Sequence, residues 1–240
     1  MITIICPTRN RALLCKRMVD SARATANWDI NVVLGIAGDV HASEDYDAAN
    51  IQAIKYSVGE LPTIAVSNFL VNSCLNTTPF NKTKLFVMAG DDVIFSTPGW
   101  DEALIKAYEA LENKIHVFSL LDSRDPEGTP HPIVTREYID AMGYFMPPIF
   151  LHWYGDSWTV DAAKYAGCFT HLKDYLLVHE KPSDKGKPDD THLRIRAMGW
   201  HDRDCYVDQK CRHFLELEKK RLCEARAENF IGETRVINYR

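Results

Sequence analysis

The sequence contains no hydrophobic run long enough to cross a membrane and no cysteine pair at metal-binding spacing. None of its 240 residues lies in an apolar stretch that approaches the roughly 20 residues of a transmembrane helix. Residues 1–10 lack the basic and long apolar regions of a secretory signal. The seven cysteines are scattered without a Cys-x-x-Cys pair, so we expect reduced thiols rather than disulfides or a zinc site. These absences predict a cytoplasmic protein without a membrane anchor.

Several common catalytic motifs are also missing. The chain has no Gly-x-x-x-x-Gly-Lys-Ser/Thr phosphate loop, no Gly-x-Gly-x-x-Gly fingerprint, no Gly-x-Ser-x-Gly elbow and no His-Glu-x-x-His motif. Its formal net charge of −5 gives no general attraction to nucleic acid or anionic membrane. A hydrophobic content of 46% and a charged content of 25% are ordinary for a globular protein. The length fits one large domain, or one domain with an appendage.

Strand-like and helix-like segments alternate over the first half of the chain. Strands are predicted at residues 2–6, 30–36, 85–89 and 115–121, and helices after Asn10 and over residues 64–75 and 101–111. Pro7 is expected to end the first strand, and residues 41–60 have the composition of a loop. The alternation predicts an α/β fold with a mostly parallel sheet flanked by helices. Prolines interrupt the pattern over residues 122–150, and helical spacing returns at residues 207–222.

Two adjacent carboxylates, Asp91 and Asp92, follow the predicted strand at residues 85–89. Open α/β sheets bind their ligands beyond the carboxyl ends of the strands. Two anions held together repel each other unless a cation lies between them, and hard divalent ions prefer carboxylate oxygens. We therefore favour a metal site over the alternative, a polar turn that leads into the next helix.

The order of the motifs resembles that of nucleotide-sugar glycosyltransferases with the GT-A fold, particularly the inverting family-two type. The matching segments are Pro7-Thr8-Arg9-Asn10-Arg11, Asp39 after the second strand, Gly90-Asp91-Asp92, residues 143–158, and His179 after an apolar run. They cover about residues 2–195 of the chain. One position departs from the family, because Gly90 stands where its Asp-x-Asp metal motif has the first Asp.

The resemblance implies an enzyme, a transferase that moves a sugar from a nucleoside diphosphate sugar, most often a UDP-sugar, to an acceptor hydroxyl. Asp92 would hold Mn²⁺ or Mg²⁺, with Asp91 beside it and His179 as a further ligand. The cation would stabilise the charge that develops on the departing diphosphate. An imidazole ligand favours Mn²⁺ over Mg²⁺. The alternative for His179 is an ordinary histidine at the end of a strand.

The same resemblance places the nucleotide against the turn after the first strand and the carboxylate after the second. The predicted contacts are Pro7, Thr8, Arg9, Arg11 and Asp39. The two arginines could reach phosphate oxygens or be exposed side chains of a loop. Lys187 lies in a predicted loop at residues 180–190 that is rich in Lys, Asp, Pro and Gly. That loop is expected either to close over the diphosphate as a lid or to remain an exposed charged segment.

Asp156 is predicted to be the catalytic base. Its aromatic neighbours would raise its pKa by desolvation, and its carboxylate could accept the proton of the acceptor hydroxyl. The sugar or acceptor would bind the ring faces of Trp153, Tyr154 and Trp158. The alternatives are that Asp156 caps the helix that follows and that the tryptophans belong to the core.

The resemblance divides the chain into a catalytic domain at residues 1–200 and a helical extension at residues 201–240. Within the domain, residues 1–121 would bind the nucleotide and residues 122–200 the acceptor. The acceptor is left open among a glycan, a protein and hydroxymethylated DNA, and so are the sugar and the oligomeric state. Two alternatives stay open: a catalytically silent module that binds sugar nucleotides or glycans, favoured by Gly90, and a nucleotidyltransferase, which would release pyrophosphate.

Overall fold

The computed structural model describes residues 1–38, 42–78, 80–180 and 189–237. Within these ranges one sheet is formed by β1 (Ile2–Thr8), β2 (Asn31–Ala37), β3 (Ile54–Gly59), β4 (Leu85–Met88), β5 (Val93–Phe95), β6 (Val117–Asp122), β7 (Ile133–Thr135) and β8 (Phe169–His179). The helices are α1 (Ala12–Thr25), α2 (Ala42–Ala48), α3 (Thr63–Leu75), α4 (Trp100–Glu109), α5 (Arg136–Met142), α6 (Gly155–Tyr165), α7 (Asp190–Val207) and α8 (Gln209–Ile237). A single 3-10 turn spans Phe80–Lys82.

The sheet has the strand order β3-β2-β1-β4-β7-β6-β8-β5. Strands β3, β2, β1 and β4 are parallel, and so are β6 and β8. Strand β7 is antiparallel to β4 and β6, and β5 is antiparallel to β8. The segment between β6 and β7 is too short for the crossover of about a dozen residues that a parallel pair requires. The predicted α/β class is confirmed, with a sheet that is parallel in its first half and mixed as a whole.

Helices cover both faces of the sheet, which explains why the central strands are continuous apolar runs. On one face Ile4 of β1 packs in a buried cluster with Met18 of α1 and other side chains from α4. On the other face Ile5 belongs to a second buried cluster to which α3 and α6 contribute. Leu222 of α8 is also part of this second cluster, so the last helix is anchored to the rest of the fold.

Three local features differ from the sequence predictions. Pro7 lies inside β1, paired with Gly35 of β2. Because the pairing of β1 with β4 ends at Ile5, no partner strand needs the N–H that proline lacks. Residues 41–60, expected as a loop, contain α2 and β3; β3 is a largely exposed edge strand and therefore carries little hydrophobic signal. The proline-rich residues 122–150 still include β7 and α5.

Two expectations about composition can be compared with the structure. Among the described helices, none combines the length and the apolar character needed to cross a membrane. Within the described residues the cysteines form no disulfide.

Candidate functional site

Most of the predicted site residues meet in one cleft at the carboxyl ends of β1 and β4. The cleft has a volume of about 380 Å³ and lies at the edge where open parallel sheets bind ligands. The predicted residues that line it are Pro7, Thr8, Arg9, Arg11, Asp91, Asp92, Trp153, Asp156 and His179. The first turns of α7 form one wall through Thr191, His192, Arg194 and Ile195. Asp39 and Lys187 lie outside the described residues.

Asp91 is buried, and both of its carboxylate oxygens have protein partners. Thr8 Oγ1 donates to Oδ2 at 2.7 Å, and Arg11 Nη1 donates to Oδ1 at 3.0 Å. Tyr46 supports Thr8 through a hydroxyl contact of 2.8 Å. Burial raises the pKa of Asp91 to about 6, although Arg11 opposes the shift. The carboxylate predicted as a metal ligand is therefore occupied with holding β1 to the end of β4.

The guanidinium of Arg11 is also buried and bridges two carboxylates. Besides Asp91 it binds Asp189, with Nε to Oδ2 at 2.7 Å and Nη2 to Oδ1 at 2.8 Å. Asp189 is the N-cap of α7 and accepts a hydrogen bond from the backbone of His192 at 2.8 Å. Arg11 thus fastens the start of α7 to Asp91.

Arg9 is the second arginine of the predicted nucleotide turn. It forms an ion pair with Glu60, which also pairs with Arg194 of α7. The carbonyl of Arg9 accepts a hydrogen bond from Thr191 Oγ1 at 2.9 Å. Contacts from the turn after β1 therefore hold α7 at two places, which defines that side of the cleft.

Asp92 faces a different group of side chains, although it follows Asp91 directly. The antiparallel pairing of β5 with β8 matches Val93 with His179. As a result His179 Nε2 lies 3.5 Å from Asp92 Oδ1. On its other side, His179 Nδ1 lies 3.1 Å from Asp122 Oδ2 at the end of β6. His131 Nε2 lies 3.6 Å from the same oxygen of Asp122.

The charges in this group depend on one another. Burial would lower the pKa of His179, but Asp122 and Asp92 outweigh it and raise that pKa to about 9. Burial would likewise raise the pKa of both carboxyls, but the contact with His179 lowers each below its usual range. In the absence of a metal the imidazolium of His179 is therefore the counter-charge for both carboxylates.

The donor set here fits a divalent transition metal. Ligand atoms of Asp122, His131 and His179 lie within 4.8 Å of one another, and Asp92 adds a further carboxylate. Carboxylate oxygens suit Mg²⁺ and Mn²⁺, whereas imidazole nitrogens favour Mn²⁺ and other transition metals. His131 also has a left-handed backbone with φ of 58°, a conformation that is uncommon outside glycine.

Gly90 departs from the resembled motif for a visible steric reason. A Cβ at this position would lie 2.7 Å from Asp92 Oδ1 and 3.3 Å from His131 Cε1. Any side chain here would push against the carboxylate that faces His179. The glycine therefore allows Asp92 and His131 to approach each other closely. The absence of an Asp at position 90 thus leaves Asp92 available as a metal ligand.

The structure places the proposed base at the cleft. Asp156 lies in the first turn of α6 and lines the cleft. Its Oδ1 accepts a hydrogen bond from the backbone of Ser157 at 2.8 Å, whereas the N-cap of α6 is Tyr154. Burial raises the pKa of Asp156. The alternative that Asp156 caps the helix is therefore wrong, since the helix begins one residue before it.

The three predicted aromatic contacts have different environments. Trp153 lines the cleft and is 37% exposed, with its ring lying on the backbone of Gly199. Tyr154 stacks on Tyr206 of α7 with ring centroids 4.7 Å apart and does not line the cleft. Trp158 is 1% exposed and packs against rings of the second core cluster. Trp158 is thus a core residue, and its prediction as a sugar contact is wrong.

Three polar residues near the cleft were missed by the sequence analysis. Asp122 follows a predicted strand just as the carboxylate pair does, so the same rule could have found it. His131 comes from the loop between β6 and β7, for which no local pattern predicts a site. Asp202 of α7 accepts hydrogen bonds at 2.7 Å from the three consecutive backbone amides of residues 151–153. It thereby positions the segment that carries Trp153.

The chain was compared with known proteins. No protein-family model and no curated protein matches the sequence. Solved structures do match. Mannosyltransferase PcManGT from Pyrobaculum calidifontis, in complex with GDP-Man and Mn²⁺, has a TM-score of 0.55 at 15% identity, covering 97% of this chain and 74% of that one. S. aureus TarS has a TM-score of 0.54 at 11% identity over 87% of this chain and 40% of its own.

A third match is glucosyl-3-phosphoglycerate synthase from Mycobacterium tuberculosis, in complex with Mn²⁺, UDP and phosphoglyceric acid. Its TM-score is 0.50 at 13% identity, covering 77% of this chain and 72% of that one. At such identities the matches establish the fold alone. The chain has the GT-A fold of nucleotide-sugar glycosyltransferases, and the fold prediction is confirmed.

Proposed function

We propose that the protein is a metal-dependent, inverting glycosyltransferase that uses a nucleoside diphosphate sugar. The observation that carries the proposal is that a single cleft of the GT-A fold contains Asp92, His179 and Asp156. Two of the matched structures, the mannosyltransferase and the phosphoglycerate synthase, hold a nucleotide together with Mn²⁺. The same kinds of ligand fit this cleft.

Asp92 and His179 would hold the divalent ion. When bound, the ion supplies positive charge to a diphosphate that the cleft carboxylates would otherwise repel. His179 is the last residue of β8, and Asp92 lies in the turn directly before β5, whose first residue, Val93, pairs with His179. Asp91 has a structural part in this arrangement, because its carboxylate accepts hydrogen bonds from Thr8 and Arg11.

Asp156 would act as the base. Because its pKa is raised, it lies closer to neutral pH. A general base is most effective when its pKa is near the working pH. In the reaction, the acceptor oxygen forms a bond to the anomeric carbon while the bond from that carbon to the diphosphate breaks. The proton passes to Asp156, the nucleoside diphosphate departs, and the configuration is inverted. Trp153 offers an exposed ring face for the sugar or acceptor.

The test is release of nucleoside diphosphate from a panel that includes UDP-glucose and GDP-mannose, with Mn²⁺, Mg²⁺ or EDTA. The wild-type protein should release nucleoside diphosphate only in the presence of metal. Slow hydrolysis of the donor without an acceptor is sufficient to support an enzyme. Asp92→Asn should abolish release, whereas Asp156→Asn should still bind the donor but lose transfer. The exposed Asp20, paired with Lys16 on α1, gives a matched control, Asp20→Asn. Full activity of either cleft variant would refute its assigned role.

The two alternatives give different products in this assay. A silent binding module would be stabilised by the sugar nucleotide without releasing any product. A nucleotidyltransferase would release pyrophosphate instead. Gly90 was the feature that favoured a silent module, but the structure shows it making room for Asp92, so we favour the enzyme.

A further inference from the structure

We propose that Asp122 is a positioning residue for the metal site. Its carboxylate would hold the imidazole of His179 in the tautomer and orientation that turn Nε2 toward Asp92 and the ion. The inference rests on the proposed function only insofar as the cleft must bind a divalent cation. It concerns how the chain prepares its ligand, and it requires no sugar transfer.

The two ring nitrogens of His179 face different partners. Nδ1 lies 3.1 Å from Asp122 Oδ2, which is within hydrogen-bonding distance. Nε2 lies 3.5 Å from Asp92 Oδ1. Two donor atoms that each lie about 2.1 Å from one ion can be up to about 4.2 Å apart, so this gap can accommodate a shared ion. A proton on Nδ1, donated to Asp122, leaves the lone pair of Nε2 available for the metal.

The side chain of Asp122 is held in one orientation and is shielded from solvent. It is fully buried, and Oδ1 accepts a hydrogen bond from the backbone of Arg124 at 2.7 Å. The parallel pairing of β6 with β8 matches Asp122 with Leu177, two residues before His179. The remaining oxygen therefore faces the imidazole. Outer carboxylates that fix a ligating histidine in this way are a common part of metal sites.

A competing arrangement has Asp122, His131 and His179 as direct ligands, since their donor atoms cluster within 4.8 Å. The position of the cleft argues against it. Asp92, His131 and His179 line the cleft, but Asp122 lies behind them and does not. An ion that binds in the cleft would therefore lie on the side of Asp92. The separation of 3.1 Å between His179 Nδ1 and Asp122 is already that of a hydrogen bond.

The first experiment measures Mn²⁺ binding by electron paramagnetic resonance, without any nucleotide. Asp122→Asn should weaken Mn²⁺ binding by about 10- to 100-fold. The amide can present its NH₂ to Nδ1 of His179 and so favour the tautomer with its proton on Nε2, which cannot bind the ion through that nitrogen. The exposed Glu127, a carboxylate in the following loop, gives the control Glu127→Gln, which should bind as wild type does. An unchanged Kd in Asp122→Asn would overturn the proposal.

The second experiment does not use the Asp122 variant and so does not depend on how well that variant folds. Pulsed electron resonance of bound Mn²⁺ should show coupling to one histidine nitrogen, which is lost in His179→Gln and retained in His131→Gln. In protein loaded with Mg²⁺, ¹⁵N spectra should show the proton of His179 on Nδ1. Coupling to two histidines, or a proton on Nε2 of His179, would overturn the proposal that Asp122 positions His179. A protein that meets these expectations but releases no nucleoside diphosphate would refute the proposed function alone.

Discussion

Replacing Arg11 with Met provides a direct test of how the carboxylate pair is stabilised. The methionine keeps a long apolar side chain but removes the guanidinium that binds Asp91 at 3.0 Å and Asp189 at 2.7 and 2.8 Å. Asp189 is half-exposed and can be solvated by water. Asp91 is buried, so without Arg11 its ionised form would lack a counter-charge.

The magnitude follows from the pKa of Asp91, which burial raises to about 6 even with Arg11 present. A carboxyl with a raised pKa stabilises the fold least when the pH is above that value, because ionisation then favours the unfolded chain. Without Arg11 the pKa of Asp91 should rise further, and each unit of that rise costs about 1.4 kcal/mol at a pH above the new value. A rise of about two units would cost the variant about 2 kcal/mol through Asp91 at pH 8 and almost nothing through it at pH 5.

Urea unfolding at pH 5 and pH 8 measures this difference. The double variant Arg11→Met with Asp91→Asn should recover most of the loss at pH 8, because an amide does not ionise in either the folded or the unfolded chain. Arg194→Met is the matched control: it removes a partly exposed arginine that pairs with Glu60, and exposed pairs contribute at most about 1 kcal/mol. Equal destabilisation at the two pH values, or no rescue by Asp91→Asn, would refute the reasoning.

Three further predictions concern other parts of the cleft. Because Asp122 and Asp92 raise the pKa of His179 to about 9, the metal-free protein should lose about 3 kcal/mol of stability as the pH rises from 6.5 through 9; unfolding in EDTA measures this, and His179→Gln should abolish the slope. Gly90→Ala should weaken Mn²⁺ binding, since its Cβ would lie 2.7 Å from Asp92 Oδ1; an unchanged Kd would contradict this. Trp158→Ala should cost about 3–5 kcal/mol of stability, whereas Trp153→Ala should leave the Tm nearly unchanged and weaken ligand binding; equal effects on the Tm would contradict the assignment.

Much of the fold could be predicted from the sequence because the central strands are buried on both faces. Continuous apolar runs mark such strands, and those of β1, β2, β4 and β6 were recognised. Strand β3 was not, because an exposed edge strand carries little hydrophobic signal. Pro7 misled the prediction, since the rule against proline in a strand assumes partners on both sides and β1 has only one at that point.

The site was predictable where function follows from a position along a strand. The carboxylates after β4 were found in this way, whereas His179, the last residue of β8, was predicted from the family resemblance. Asp122 could have been found by the same rule, but its contact with His179 depends on the pairing of β6 with β8, which brings together residues 57 positions apart. The engagement of Arg11 by Asp189 likewise joins residues 178 positions apart. No local pattern reveals which partner such a side chain will find.

The carboxylate pair shows why the sequence argument needed the structure. Two adjacent anions were expected to require a metal between them. The two residues form the turn between β4 and β5, where Asp91 contacts Arg11 while Asp92 contacts His179. The protein therefore supplies its own cation to each, and their pKa values move in opposite directions. Titratable groups separated in this way commonly have different roles. Since Arg11 cannot release its proton and His179 can, a divalent ion can replace only the charge on His179, which supports our proposal that Asp92, rather than Asp91, holds the metal.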